Sequence, residues 1–400
     1  MLLSKLKLFI NVSHKSPLLQ ALAPVANSIR NTHDSFKYED LTITLAEGDK
    51  LKPKPDFSSL KFGANFSDHM LEVEWSESAG WGKPRILPVH AFQLHPCSKV
   101  LHYAQSVFEG MKAFKYSNGK VALFRPDMNM NRFLVTSERA CLPGFNREEL
   151  LKCIKKLVSI DKSWIPNREL CSLYIRPNFI GTEDTLGVAS AKTALLYVVS
   201  GPVGPYFTTT IEPISLLADP KHVRACPGGV GCYKMGSNYA PTLYIQKLAQ
   251  KQQMDQVLWL YGPDHQITEA GAMNVFFVLK DTKGDLELVT PPLDGTILPG
   301  VVRHSVLDLA RSLNEFRVSE RPINMREIIS AQKEGRLLEM FVCGTALVVC
   351  PVKLIRFNGE DINIPTMERK DGLHSRFLKM ITDIQYGRVT SDWSVSVDEE

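Results

Sequence analysis

A short segment rich in proline and glycine, Gly201–Phe207, is the feature that most constrains the fold of this 400-residue chain. Two prolines and two glycines stand close together there, and such residues interrupt both helices and strands. The chain is long enough for two domains of ordinary size. We therefore expect a small N-terminal domain over residues 34–200, a linker over residues 201–212 and a large C-terminal domain over residues 213–400.

Both sides of this linker mix strand-like alternation with helical periodicity. The predicted strands are Met70–Trp75, Leu173–Arg176, Ala194–Ser200, Pro213–Ala218, Gln256–Tyr261 and Asn274–Leu279. Helices are predicted around Leu150–Val158, at Val301–Leu313 and at Met325–Met340. The pattern predicts a two-domain α/β fold, with the folded chain beginning near Phe62.

Composition excludes several classes of protein. Apolar residues at 44% and charged residues at 22% are typical of a globular chain. The 47 Lys and Arg nearly balance the 43 Asp and Glu without a basic block, which argues against nucleic-acid binding. Apolar runs are too short to span a membrane. The eight cysteines form no C-x-x-C pair, so neither a metal site nor a disulfide framework is expected.

The first 33 residues contain no acidic side chain, and Lys5, Lys7, Lys15 and Arg30 are spread among apolar and hydroxyl residues. This composition is typical of a mitochondrial transit peptide, so residues 1–33 are predicted to direct the protein to the mitochondrial matrix. The alternative is a disordered tail on a cytoplasmic protein.

A lysine among four glycines stands out in Gly228–Tyr239. A Walker A phosphate loop needs Gly directly before the lysine and Ser or Thr directly after it, and Tyr233 and Met235 violate both requirements. Lys234 instead fits a lysine that attacks an aldehyde to form a Schiff base. An exposed loop lysine is the plainer alternative.

A Schiff-base cofactor also needs a carboxylate for its ring nitrogen and a cradle for its phosphate. Glu269 lies between two strand-like segments, although a hairpin glutamate in solvent would look the same. Leu298–Arg303 opens a helix, and amides at a helix N-terminus bind phosphate. Gly344–Ala346 offers further small residues with free amides.

Together, these segments resemble the fold-type IV pyridoxal-phosphate enzymes, and specifically the branched-chain amino acid aminotransferases of eukaryotes. The resemblance runs from about Phe62 to Trp393. Its motifs are Phe108–Phe114, Tyr174–Pro177, Gly201–Phe207, Lys234–Gly236, Pro291–Gly295 and Asp383–Gly387. It implies an active site between the two domains. The implied activity is transfer of the amino group of L-leucine, L-isoleucine or L-valine to 2-oxoglutarate.

The resemblance also implies residue roles. Lys234 would carry pyridoxal 5'-phosphate and move a proton, Glu269 would hold the ring nitrogen, and Tyr239 would bond the ring's O3' side. The implied phosphate ligands are the Arg132 side chain, the amides of Val301 and Val302, and the Thr345 hydroxyl. For Arg132, a surface helix arginine is the alternative.

A substrate pocket is implied in the same way. Its aromatic slot would be lined by Phe62, Phe108, Tyr174 and Tyr206, with Tyr103 and Arg176 nearer the polar end; core packing is the alternative for these aromatics. The amides of Thr345 and Ala346 would bind the α-carboxylate. Leu186 and Val188 match a loop that reaches the neighbouring subunit's site, so a homodimer is implied.

The chain departs from the family pattern at three places. Ala272 and Val302 stand where animal members usually have hydroxyl residues, which predicts weaker cofactor contacts. Leu347 replaces the first cysteine of a C-x-x-C redox pair and leaves only Cys350, so no thiol switch of that kind is expected. The alternatives to the implied activity are D-amino acid transaminase, aminodeoxychorismate lyase and a catalytically silent relative.

Overall fold

Two β-sheets organise the chain in a computed structural model that describes residues 35–204, 212–369 and 371–398. In these ranges the first sheet has ten strands in the order β1-β4-β2-β9-β8-β6-β7-β19, with β3 against β2 and β5 against β8. Its strands are β1 (Thr42–Ile43), β2 (His69–Ser76), β3 (Gly80–Trp81), β4 (Arg85–Pro88), β5 (Ser106–Phe108), β6 (Met111–Lys115), β7 (Val121–Phe124), β8 (Ser172–Gly181), β9 (Thr193–Val203) and β19 (Ser394–Ser396).

The second sheet has nine strands over the same described ranges, in the order β12-β11-β10-β17-β16-β13-β14-β15, with β18 against β17. Its strands are β10 (Ile214–Ala218), β11 (Gln256–Tyr261), β12 (Gln266–Ala270), β13 (Met273–Lys280), β14 (Leu286–Thr290), β15 (Arg317–Glu320), β16 (Leu337–Gly344), β17 (Val348–Phe357) and β18 (Glu360–Asn363). Because β12 also pairs with β13, the strands from β12 through β13 close into a ring.

Seven α-helices lie among the described residues. They are α1 (Lys99–Tyr103), α2 (Pro126–Arg139), α3 (Arg147–Ile160), α4 (Thr242–Lys251), α5 (Val301–Leu313), α6 (Met325–Lys333) and α7 (Leu373–Gln385). The sequence explains where α3 begins, since the Asn146 side chain accepts hydrogen bonds from the amides of Glu148 and Glu149. Its apolar face, which includes Leu150 and Leu157, is fully buried in the core of the first sheet. No helix in the described ranges has the length and apolar character needed to cross a membrane.

A shared apolar cluster joins the two sheets. Phe114 and Met128 from the first half of the chain pack in one cluster with Val302, Phe341 and Phe377 from the second half. Each sheet also has a core of its own. The mixed α/β fold predicted from the sequence is confirmed, and the junction between the sheets brings α2 beside the start of α5.

Most predicted elements are confirmed within a few residues, and Val301–Leu313 and Gln256–Tyr261 have the predicted bounds. The predicted helix Met325–Met340 is wrong in its second half. The helix ends at Lys333, Gly335 has a positive φ, and Leu337 begins β16. A left-handed glycine ends a helix because it turns the chain without a Cβ clash.

Three expectations about boundaries also need correction. Gly201–Val203 are the end of β9 rather than part of a linker, because they pair with the start of β8. Strand β19 belongs to the first sheet although it lies within residues 213–400. Packing begins well before Phe62, since Phe36 is buried against Trp81. The predicted transit peptide lies outside the described residues.

Candidate active site

Lys234 is held in the loop between β10 and α4, directly against strand β5. Its carbonyl accepts a hydrogen bond from the Phe108 amide at 3.1 Å, and Val107 and Met235 form an antiparallel bridge. Its Nζ lies 3.3 Å from the Tyr239 hydroxyl oxygen and 4.8 Å from the centre of the Phe108 ring. The amine is therefore half-buried between two aromatic rings, at the junction of the two sheets.

Glu269 lies on β12 and is 3% exposed, so its carboxylate depends on protein donors. Oε1 accepts hydrogen bonds from the Leu298 amide at 2.9 Å and from Asn274 Nδ2 at 3.1 Å. Oε2 lies 2.8 Å from Nη2 of Arg224. Burial raises the pKa of Glu269, and the neighbouring Arg224 guanidinium opposes that rise.

Arg132 is buried on α2, which excludes the alternative of a surface arginine. Its Nε and Nη2 donate to the two carboxylate oxygens of Glu109 at 2.6 and 2.8 Å, and Nη1 donates to the carbonyl of Pro299 at 3.0 Å. Burial acts to raise the pKa of Glu109, but Arg132 outweighs it and holds that pKa below its ordinary value. Two of the five guanidinium N–H groups remain for another acceptor.

The N-terminus of α5 is buried and has the geometry of an anion-binding site. Gly300 precedes the helix, Val301 and Val302 are buried, and no side chain in the described ranges caps it. The first amides of a helix have no acceptor within the helix, and the helix dipole makes this end positive. Because Arg132 bonds the carbonyl of Pro299, its guanidinium stands beside these amides. Amides and guanidinium together fit a phosphate group.

Aromatic side chains surround the amine of Lys234 on the side of the first sheet. The Phe108 ring lies 4.9 Å from that of Tyr239, and the Arg176 guanidinium lies 4.7 Å from the centre of the Phe108 ring. Nη2 of Arg176 donates to the Tyr174 hydroxyl at 2.9 Å, so these two strand residues share a face. The Phe62 ring lies 5.0 Å from that of Tyr174. These side chains form an apolar slot with a cation at its edge.

The turn that contains Thr345 and Ala346 connects β16 to β17. Lys112 Nζ donates to the Ala346 carbonyl at 2.8 Å, and Lys112 pairs with Tyr174 across β6 and β8. Burial lowers the pKa of Lys112 to about 8. Lys112 therefore attaches the turn to the strand that carries Tyr174 and Arg176, and it places the two turn residues beside the slot.

Three predicted substrate residues lie on the surface of the chain. Tyr103 donates a hydrogen bond to the carbonyl of Leu186, and Leu186 and Val188 are 56% and 82% exposed. Among the contacts of the described residues, none joins these three to Lys234 within this chain. Tyr206 lies outside the described residues.

The donor set fits pyridoxal phosphate. The fit is seen in a buried, uncapped helix start with Arg132 beside it, a buried Glu269 and a primary amine on Lys234 next to the Tyr239 hydroxyl. A cavity of about 300 Å³ is lined by Tyr239, Glu269 and Ala272, among others. No cluster of three potential metal ligands occurs within the described residues.

Sequence reasoning missed Glu109, Arg224 and Lys112 as site residues. Glu109 stands in the Phe108–Phe114 segment already noted, and Arg224 comes shortly before Gly228. Their partners Arg132, Glu269 and Ala346 lie far away in sequence, so periodicity contains no signal for these pairs. A charged residue inside an otherwise apolar strand, as at Lys112 in β6, is the one usable sign.

Comparisons with known proteins agree with this geometry. The family described as Amino-transferase class IV matches residues 106–355. The cytosolic branched-chain-amino-acid aminotransferase of Ovis aries is 53% identical over 365 residues, which are 91% of this chain and 94% of that protein. The mitochondrial branched-chain-amino-acid aminotransferase of Bos taurus is 50% identical over 374 residues, which are 93% of this chain and 95% of that protein.

Two crystal structures show the same fold at low sequence identity. The branched-chain aminotransferase of Thermoproteus uzoniensis with norvaline has a TM-score of 0.66 and is 20% identical, covering 82% of this chain and 99% of its own. The branched-chain amino acid aminotransferase of Thermobaculum terrenum in its PLP-form also has a TM-score of 0.66. It is 18% identical and covers 84% of this chain and 99% of its own.

Proposed function

The chain belongs to the class IV aminotransferases and, within them, to the branched-chain amino acid aminotransferases, and we propose that it transfers amino groups from L-leucine, L-isoleucine and L-valine to 2-oxoglutarate. The products are branched 2-oxo acids and L-glutamate, and the cofactor is pyridoxal 5'-phosphate. The observation that supports this most is the grouping of Lys234, Glu269 and Arg132 around one junction, in a chain about half identical to named branched-chain aminotransferases.

Bound pyridoxal phosphate supplies an aldehyde carbon that accepts the amino group and a pyridinium ring that withdraws electrons from the substrate's α-carbon. Lys234 would provide the amine that holds that aldehyde and would move a proton at the substrate's α-carbon. The Tyr239 hydroxyl accepts a hydrogen bond from Lys234 Nζ at 3.3 Å and so orients the amine. Glu269, as a carboxylate, would hold a proton on the ring nitrogen.

The proposed phosphate site contributes to cofactor binding and takes no part in the reaction itself. The amides of Val301 and Val302, the spare N–H groups of Arg132 and the Thr345 hydroxyl are the groups that would hold the phosphate. Glu109 keeps the guanidinium of Arg132 directed toward the helix start. Val302 offers an amide but no hydroxyl, so one side-chain hydrogen bond is absent there.

Substrate selection follows from the slot and its edge. The rings of Phe62, Phe108 and Tyr174 exclude water and favour a branched aliphatic side chain. Arg176, at 4.7 Å above the Phe108 ring, provides a cation for the distal carboxylate of 2-oxoglutarate. The amides of the Thr345–Ala346 turn would donate hydrogen bonds to the α-carboxylate common to both substrates.

The test is an absorbance spectrum of the purified holoenzyme from about 300 to 500 nm, recorded with L-leucine and then with 2-oxoglutarate. A visible band that falls with L-leucine and returns with 2-oxoglutarate is expected. A response to D-leucine or D-alanine instead would assign another activity of the same fold. Absence of a band after incubation with pyridoxal phosphate would show a catalytically silent relative.

We propose that the protein acts as a homodimer. Leu101, Leu186 and Val188 are 58%, 56% and 82% exposed, and Tyr103 ties its helix to the Leu186 loop. Exposed apolar side chains of this kind are typical of subunit contacts. A second copy of the chain covering this surface would bring Leu186 and Val188 to the neighbouring site.

We propose two domains with the site between them: residues 34–203 together with the returning strand β19, and residues 213–393. Support comes from the change of sheet between β9 and β10 and from the separate cores of the two sheets. Mild proteolysis of the native protein is expected to cut first within residues 204–212, and first cuts elsewhere among residues 35–398 would count against this boundary.

We propose import into mitochondria, supported by the acid-free composition of residues 1–33. Named relatives include both cytosolic and mitochondrial proteins. A fusion of residues 1–33 to a fluorescent protein is expected to enter mitochondria, and a diffuse cytosolic signal would reject the proposal.

A further inference from the structure

Arg224 lies in the loop after β10, and its side chain is 9% exposed. Its Nη2 is 2.8 Å from Oε2 of Glu269, 2.7 Å from the Thr296 carbonyl and 3.2 Å from the Gly231 carbonyl. One nitrogen therefore joins three separate segments. Its Nε is buried and has no hydrogen-bond partner among the described residues. An unpaired buried donor is costly, so the site directs the guanidinium toward Glu269 at some loss of stability.

The surroundings of Glu269 admit one further donor. A carboxylate offers about four acceptor positions. Leu298 and Asn274 occupy two on Oε1, and the Arg224 guanidinium forms an ion pair with Oε2. Two donors and a cation suit the ionised carboxylate, and Oε2 is left to accept from a protonated ring nitrogen.

Charge makes Arg224 different from the other two donors. Burial disfavours the ionised form of Glu269, and the cations that act against it are Arg224, Lys234 and Arg303, in that order of effect. The remaining titratable neighbour is the buried thiol of Cys343. Arg224 is the strongest of these cations and stays charged throughout.

We propose that Arg224 is a positioning residue that keeps Glu269 ionised and directed at the ring nitrogen, and so sets the lowest pH at which this enzyme works. The inference rests on the proposed function, since it concerns the residue that holds the ring of bound pyridoxal phosphate. Arg224 acts through Glu269 and does not itself contact the reacting atoms.

The experiment compares holoenzymes of the wild type, Arg224→Met, Arg224→Lys and Arg224→Gln. Two quantities are measured against pH: the absorbance of the resting holoenzyme without substrate, and kcat with L-leucine. Without the cation, Glu269 ionises only at higher pH. The acid limb of both profiles is therefore expected to move up by about one to three pH units in the Met and Gln variants. The Lys variant keeps the charge and is expected to stay close to the wild type.

Arg321→Met is the matched control, because Arg321 pairs with the buried Glu287 on the far edge of the second sheet. It is expected to lower thermal stability without moving either pH profile. In a Glu269→Gln background, Arg224→Met should cause no further movement, since the group it acts through is gone. If Arg224→Met alone fails to fold, the double variant can still be studied, because it leaves no buried carboxylate without its partner.

Unmoved acid limbs in Arg224→Met and Arg224→Gln, with a normal wild-type response to L-leucine, would overturn this inference alone. A purely structural role would lower the stability of all three Arg224 variants equally and leave the profiles in place, and that result too would overturn it. A wild-type spectrum that does not respond to L-leucine would overturn the proposed function and this inference with it.

Discussion

At the residue scale, two buried carboxylates of the site differ in what neutralises them. Glu109 has a bidentate guanidinium, which holds its pKa below the ordinary value, whereas Glu269 shares one guanidinium nitrogen with two carbonyls and its pKa is raised. The first pair is a fixed support for the phosphate site. The Glu269–Arg224 pair is weaker, and in the proposed function this leaves the Glu269 carboxylate able to bind a protonated ring nitrogen as well.

Lys234→Ala is expected to lower kcat with L-leucine by roughly 10⁴-fold or more, since no other amine of the described ranges contacts the same two rings. Circular dichroism and thermal unfolding should change little because the side chain is only half-buried. Lys247→Ala, an exposed lysine on α4, is the control. Transamination above background in the Lys234 variant would contradict the proposal that Lys234 holds the cofactor.

Glu109→Gln is expected to destabilise the protein by about 3 kcal/mol at pH 7, because it leaves buried Arg132 without its counter-charge. Since the folded-state pKa of Glu109 lies below its ordinary value of 4.5, its contribution is complete above that pH and is lost as the pH falls further. Urea unfolding of both proteins at several pH values measures the difference.

That difference in unfolding free energy should therefore shrink below pH 4.5. Glu39→Gln removes an exposed carboxylate and should have almost no effect at any of these pH values. A difference for Glu109→Gln that stays constant down to pH 3 would contradict the assignment of Glu109 as ionised in the folded protein.

Cys350 is expected to be inert to peroxide. It is buried, and burial raises its pKa to about 12, so almost none of the reactive thiolate exists at neutral pH. Leu347 occupies the position where a partner thiol would be required. Wild type and Cys350→Ser should keep equal activity after peroxide and dithiothreitol; a reversible loss that disappears in Cys350→Ser would show a switch.

At the element scale, the start of α5 depends on a glycine. A Cβ at Gly300 would overlap Oδ1 of Asn274, whose Nδ2 donates to Glu269 and to the Leu298 carbonyl. The residue before the helix therefore couples the phosphate cradle to the carboxylate at the other end of the cofactor site. A helix with the same periodicity but a larger residue here would still form, yet it would disturb both ends.

Gly300→Ala is expected to weaken the binding of pyridoxal phosphate about 10-fold, because the crowded Asn274 must shift and costs about 1–3 kcal/mol. Titration of the apoenzyme followed by absorbance measures the dissociation constant. Gly144→Ala is the control, since a Cβ there meets no atom within 4 Å. Equal affinity of both variants would show that the overlap is relieved at no cost to the site.

At the scale of the whole molecule, one chain brings together the proposed cofactor ligands but leaves Tyr103, Leu186 and Val188 on its surface. Val188→Asp places a charge on the most exposed apolar side chain of this group. We expect monomers and a loss of activity, measured by analytical ultracentrifugation and by kcat/KM. Leu45→Asp, a change at another exposed leucine, is the control. A dimer that stays intact and active with Val188→Asp would place the interface elsewhere.

Sequence alone determined the local elements and the residues whose chemistry is distinctive. The α5 helix has the predicted bounds because its apolar spacing and its Pro-Gly start are local signals. Lys234, Glu269 and Arg132 were found because a lysine among glycines, a hairpin carboxylate and a helix arginine stand in motifs with a known order. The prediction of a helix as far as Met340 was wrong in its second half, because the apolar residues that follow Gly335 fit a strand equally well.

Only the tertiary structure decided which charges meet. Glu109 with Arg132, Arg224 with Glu269, and Lys112 with the Ala346 carbonyl are pairs between distant segments. The return of β19 to the first sheet is of the same kind. The physical reason is that a hydrogen bond or ion pair needs atoms about 3 Å apart. Sequence periodicity reports only which face of an element is buried, whereas the packing of elements decides what lies opposite that face.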